Sequence, residues 1–295
     1  MSVRVNIEPA AVFKKPPVIQ ELLLPGWEYG TWDKGFALEP GDIGNNTLVY
    51  EDEKIARGIN LERANYFVSL THSDPTSRKE IYGFYEYLRK ICEKMNVKKF
   101  SHNGIKMLLS DIDNLVDIDI DNTKRALSEM TDKINNGEVP VYFIFGVKNP
   151  IAIDKNEMEQ FGSDIDEFAE YMNKMQQHDY YYSAPISTVE KKIDQKTKGF
   201  FGKNKTKGLK PDVSVTHTVP AGRDTIFPTV PRVFSKKPVN VIKRDVLLTF
   251  DKYDRERVDY DKFVSLIDKS RKYDADCCII NLSDEEMKNI LRGIQ

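Results

Sequence analysis

The stretch "VDIDIDN", Val116 to Asn122, sets three aspartates two residues apart, after an earlier "DID" at Asp111 to Asp113. Read as a calcium loop, it would need a Gly at its sixth position for the sharp turn and a bidentate Glu at its twelfth. Counted from Asp117, those positions hold Asn122 and Ser128, so the turn residue and the strongest ligand are both missing. Read as an extended strand, the alternation puts Val116, Ile118 and Ile120 on one face and Asp117, Asp119 and Asp121 on the other. The strand reading uses every residue of the run and is the one adopted. Asp121 or Asn122 then caps a helix over "TKRALSEMTDKI", with Ala126, Met130 and Ile134 along one side.

Outward from this run, a unit of strand, polar loop, amphipathic helix and strand recurs three times. The first copy joins "YFVSL" (66–70) through "THSDPTS" to a helix opening near Ser77, where Ser77 and Glu80 have capping-box spacing. In that helix Ile81, Phe84, Tyr85, Leu88, Ile91, Cys92 and Met95 make one continuous apolar stripe. The second copy runs from "VYFIFGV", through the turn "KNPIAI", to a helix from Ser163 bearing Ile165, Phe168, Ala169, Met172 and Met175, and closes on "DYYYSA". The third has the strand "DVLLTF", the turn "DKYDRERVD", a helix with Tyr260, Phe263, Val264 and Ile267, and the strand "CCIINL". Ser283 and Glu286 then cap a terminal helix. Helices packed on mixed sheets in this way give an α+β or mixed α/β fold. The chain divides into residues 1–137, with a leader rich in Pro, Gly and aromatics, and residues 138–295, with a Lys-rich insertion near 190–210.

At 295 residues the chain can bury a core without covalent staples. A formal charge of only −2 gives the whole molecule no electrostatic reason to seek nucleic acid or an anionic membrane. Cys92, Cys277 and Cys278 form no disulfide framework and suit a reducing cytoplasm. "VIQELLL" is too short and too acidic to span a bilayer, and the opening residues lack the apolar core of a signal peptide. One island breaks the even charge. Residues 190–210 hold eight lysines against Glu190 and Asp194, a local charge of +6, with Phe200 and Phe201 among them. Without Arg or aromatic periodicity it reads as a solvated loop between two strands rather than a nucleic-acid surface.

No phosphate-binding loop, dinucleotide fingerprint or serine-hydrolase elbow is present, and His72, His102, His178 and His217 show no metal-ligand spacing with one another or with Cys. No catalytic residue, metal ligand or cofactor is assigned. The residues with binding potential are the aromatics Trp27, Tyr29 and Trp32 of the leader, the "HDYYY" group of His178, Asp179, Tyr180 and Tyr182, and Phe200 and Phe201. His178 and Asp179 offer the one sequence-adjacent imidazole and carboxylate, though a helix C-terminus favours His for its charge alone.

The runs "LLLPGWEYGTWDKGFALEPG", "LVYEDEKIARGI", "VYFIFGVKNPIAI", "DYYYSAP", "IFPTVP" and "YDADCCIINLSDEEM" resemble a family of uncharacterised proteins from Firmicutes-type bacteria, known only as a domain of unknown function. The resemblance spans nearly the whole chain. It implies a bacterial, cytoplasmic protein of a single family, and it transfers no site. Two expectations follow. The first is a non-enzymatic protein-binding protein of the immunity or regulatory kind, with another protein as partner and neither nucleic acid nor membrane. The alternative is an enzyme of unrecognised class using a pocket near His178 and the N-terminal tryptophans.

Overall fold

The protein is described by a computed structural model covering residues 2–9, 15–32, 38–51, 56–191, 210–235, 238–250 and 254–294. It is an α+β fold that divides into two compact units, Met1–Asp179 and Tyr180–Gln295.

The first unit contains β1 (Ser2–Ile7), α1 (Ile19–Leu22), β2 (Glu28–Trp32), β3 (Leu38–Pro40), β4 (Asn46–Tyr50), β5 (Ile59–Arg63), β6 (Val68–Ser73), α2 (Arg78–Met95), β7 (Lys99–His102), β8 (Ile105–Leu108), α3 (Ile112–Asn135), β9 (Tyr142–Phe145), β10 (Pro150–Ile153), α4 (Lys155–Phe161) and α5 (Ile165–Gln176). Its main sheet has eight strands in the order β3-β2-β4-β5-β6-β1-β7-β8, every pair antiparallel. Alternation along β1 buries Val3, Val5 and Ile7 and turns Arg4 and Asn6 to the other face.

Helix α2 follows the expected stripe. Ile81, Phe84, Leu88 and Ile91 are fully buried, and Ser77 caps the helix by accepting the Glu80 N–H at 2.8 Å. The reciprocal half of the capping box is redirected: the Glu80 carboxylate accepts the backbone N–H groups of Ala56, Arg57 and Gly58 and pins that loop to the helix start. Leu88→Ala is expected to cost about 2–5 kcal/mol, measurable by urea unfolding, since the cavity it leaves is walled by the rest of this core.

The run "VDIDIDN" is not a strand but lies inside α3, a helix of 24 residues. Its buried positions are Ile112, Leu115, Val116, Asp119, Ile120, Thr123, Leu127, Met130 and Ile134, the three-and-four spacing of a helix face. Ile118, placed by the strand reading on the buried side, is 52% exposed, and Asp119, placed on the solvent side, is fully buried. The turn "KNPIAI" is likewise replaced by strand β10, which pairs with β9 in a two-stranded sheet; Pro150 is tolerated because it is the first residue of the strand.

Division at 137/138 would split a single core. Ile144, Ile151, Met158, Phe161, Phe168 and Met172, all beyond residue 138, pack in the same apolar cluster as α2 and α3, which sets the boundary of the unit at Asp179 instead.

The second unit contains β11 (Tyr181–Tyr182), β12 (Ile186–Lys191), β13 (Asp212–Pro220), β14 (Thr225–Pro228), β15 (Asn240–Thr249), β16 (Arg255–Asp259), α6 (Tyr260–Leu266), β17 (Cys277–Ile280) and α7 (Asp284–Ile294). Part of the charged turn "DKYDRERVD" is therefore strand β16. Two sheets result, β11-β14-β17 and β12-β13-β15-β16. Val219, Phe227, Val246, Leu248, Phe263 and Met287 form their core. Ser283 and Glu286 make the complete reciprocal cap ahead of α7. Strands β12 and β13, which flank the lysine island, pair antiparallel; residues 192–209, Phe200 and Phe201 included, lie outside the described residues.

Candidate functional site

The polar centre of the first unit is built on Asp119. Strand β6 alternates Val68, Leu70 and His72 into the core, β7 does the same with Phe100 and His102, and α2 adds Tyr85 from its apolar stripe. All three side chains meet the carboxylate that α3 turns inward. Tyr85 donates its hydroxyl to Asp119 Oδ2 at 2.5 Å, His102 Nε2 lies 3.4 Å from the same oxygen and 3.1 Å from the Tyr85 hydroxyl, and Asn122 donates to Oδ1 at 3.5 Å. His72 sits between two carboxylates, with Nε2 3.8 Å from Asp119 and Nδ1 3.7 Å from Asp74, while Thr123 donates to Asp74 at 3.0 Å. Neither His72 ring nitrogen is within hydrogen-bonding distance of a partner among the described residues.

Burial alone would raise the Asp119 carboxyl, but the groups around it, His102 first and then the nearby His72 imidazole and the Tyr85 hydroxyl, hold it well below the usual carboxylate range. The Tyr85 phenol is pushed far up by burial and by the adjacent Asp119 charge, so it remains a donor rather than a nucleophile. Tyr85 also lines a cleft of about 480 Å³ between α2 and α3, with Tyr82, Arg89, Ile112, Val116 and Asp117 among its walls. Asp119, His72 and His102 do not line it. The arrangement can hold charge and fix the packing of four elements, and it gives a substrate no access to the carboxylate. Among the described residues no group of three or more His, Cys, Asp or Glu has the arrangement of a metal site.

A second buried ionic group lies in the other unit. Arg232, 4% exposed, donates Nε to Asp276 at 3.3 Å and places Nη2 3.2 Å from Asp276 and 3.5 Å from Asp274. Asp274 in turn accepts the backbone N–H groups of Asp276 and Cys277, which fixes the "YDADCC" turn. The runs "DYYYSAP", "IFPTVP" and "YDADCCIINL" thus assemble as β11-β14-β17 around this guanidinium. Nearby His217 is fully buried; its Nδ1 lies 3.0 Å from the Ser183 carbonyl. Burial, with Arg232 and Arg244 adding to it against the Ser183 bond, pushes its pKa down to about 4. A folded value below the ordinary 6.5 means that the unfolded chain binds the extra proton first. Stability of the second unit should therefore fall as pH drops from about 6.5 to about 4, by on the order of 3 kcal/mol. His217→Asn should flatten that slope in chemical-denaturation curves taken across the range.

The residues singled out in the sequence are dispersed. Trp27 packs edge-on against Tyr87 at 4.9 Å and occupies the space over Gly83, where a Cβ would lie 3.1 Å from its ring; the cavity it lines is about 10 Å³, the size of one water molecule. Trp32 donates its indole N–H to the Val147 carbonyl at 2.8 Å. Tyr29 is half-buried against the main core. His178 and Asp179 are exposed at the end of the first unit, whereas Tyr180 and Tyr182 belong to the second, packed with Ile226 and Cys277. Cys92 and Cys278 have thiols raised by burial to about 12 and about 11, and burial also raises Cys277 well above its ordinary value, which leaves all three unreactive. The Asp119 and Arg232 groups escaped the sequence reading. A helical count over 112–134 would have exposed the first; nothing local to "VPRVF" marks the second.

Among the described residues no helix is long and apolar enough to cross a membrane. Residues 2–290 match the family described as "Domain of unknown function (DUF4299)", and the chain belongs to that family. No curated protein and no solved structure matches it.

Proposed function

From membership of a family defined without a function, we propose that the chain is a non-enzymatic binding protein of the immunity or regulatory kind, working in a bacterial cytoplasm and taking an extended segment of a partner protein along the edge of β12. The observation that supports this is the character of that strand. It pairs only with β13 among the described strands, and the side chains from Ile186 to Glu190 are all exposed, Ile186 by 46% and Val189 by 52%. Edge strands are normally blunted by charge, proline or a bulge. Here the bulge falls only between Val189 and Lys191, and "ISTV" carries no charge. An added strand would gain main-chain hydrogen bonds along this edge and specificity from the exposed Ile186 and Val189 side chains, one on each face of the strand. An enzymatic reading built on the Asp119 group lacks an opening between that carboxylate and the neighbouring cleft.

A photo-crosslinking side chain at position 187 tests the proposal in the native host. One discrete protein adduct is expected, lost when Ile186→Lys and Val189→Lys are combined, with unfolding free energy changed by no more than about 1 kcal/mol because both positions are exposed. An adduct that survives both added charges, or crosslinking to nucleic acid alone, would refute it.

A further inference from the structure

The face of the main sheet opposite its apolar core carries a cavity of about 380 Å³ over β1, β7 and β8, within the range of small-molecule sites. Pairing register sets Asn6, Ser101 and Lys106 in one row across the three strands, so their side chains share that face. Lys98 enters from the turn that follows α2 and Lys99 from the first position of β7, and Pro9 and Val97 supply an apolar wall. Three lysines therefore border one concavity. Among the described residues none of them has a carboxylate within ion-pair distance, and Glu8 is the sole acidic residue lining it. The Asn6 side-chain oxygen is buried there without a hydrogen-bond partner among the described residues, a cost that folded proteins ordinarily avoid.

We infer that this cavity binds a small organic oxyanion, a phosphate or carboxylate on an apolar body, with its charge held by Lys98, Lys99 and Lys106. Three exposed lysines that border one concavity without a carboxylate partner favour an anion between them. The site is independent of the β12 edge.

Calorimetric titration of the full chain at low salt tests it, with phenyl phosphate and 4-aminobenzoate as the two oxyanion probes and 4-aminobenzamide as the neutral control. Saturable binding of at least one oxyanion is expected, weakened about tenfold or more in the control and in the combined Lys99→Ala and Lys106→Ala variant, and weakened by added salt. The tighter of the two probes identifies the headgroup. Both lysines are exposed, so the variant should keep the wild-type melting temperature, and Lys106→Glu gives a second reading of the same charge. Equal affinity for the neutral amide, wild-type affinity in the lysine variants, or no saturation by either oxyanion up to about 10 mM would overturn the inference.

Discussion

Asp119→Ala should destabilise the first unit by about 3–5 kcal/mol, the range for breaking a buried ionic group by removing one member. The substitution strips Tyr85 and His102 of their shared acceptor and leaves His72 facing only the Asp74 carboxylate. Asp119→Asn keeps an acceptor for the Tyr85 hydroxyl and should cost less, about 1–3 kcal/mol. Tryptophan fluorescence during urea unfolding is the suitable readout, because Trp27 and Trp32 are the only tryptophans and both belong to this unit. The pH dependence has a defined sign. A carboxyl held below its ordinary range stabilises the fold above the unfolded-state value near 4 and loses that contribution as pH falls through the depressed folded value. The wild type should thus lose this share of stability only in strong acid, and Asp119→Asn should lack that loss. An alanine variant within 1 kcal/mol of wild type would show that the carboxylate merely fills space.

Arg232→Ala should be comparably severe in the second unit, again about 3–5 kcal/mol, since Asp274 and Asp276 would lose the buried guanidinium they share. Replacing Asp276 by Asn in the Arg232→Met background should recover part of the loss, because an apolar or neutral set can occupy such a site at little net cost. Exposure of Cys277 and Cys278 to a thiol reagent gives a measure local to this unit: both are buried now, and both should become reactive as the "YDADCC" turn loosens. Unchanged thiol protection in Arg232→Ala would contradict the role assigned to the guanidinium.

The legibility of the fold followed the purity of its apolar patterns. Helix α2 could be read because every buried position of its stripe from Ile81 to Met95 is apolar apart from Gly83. Helix α3 could not, because its stripe contains Asp119 and Thr123. A count of apolar residues meets a gap at those positions, and the accidental alternation of Val116, Ile118 and Ile120 fills it with a strand. The polar residues that make up the candidate site are thus the same ones that disguised the helix, as expected where a site breaks a local rule. The domain boundary was misplaced for a related reason: the turn through Gly137 has the look of a linker, and only the three-dimensional packing of Phe161, Phe168 and Met172 reveals that the chain returns to the first core. Arg232 was invisible because its partners lie more than forty residues further along, as the separation to Asp276 shows.

The position of β1 bears on how the chain is made. This first strand lies between β6 and β7 rather than at an edge, and its partners extend as far as His102. On the ribosome, Ser2 to Ile7 emerge well before either neighbour and must wait for them; at roughly 5–20 residues per second, that delay lasts several seconds. Until β6 has emerged, Val3, Val5 and Ile7 have no sheet to enter, so nascent-chain factors that shield apolar segments should occupy this stretch until then.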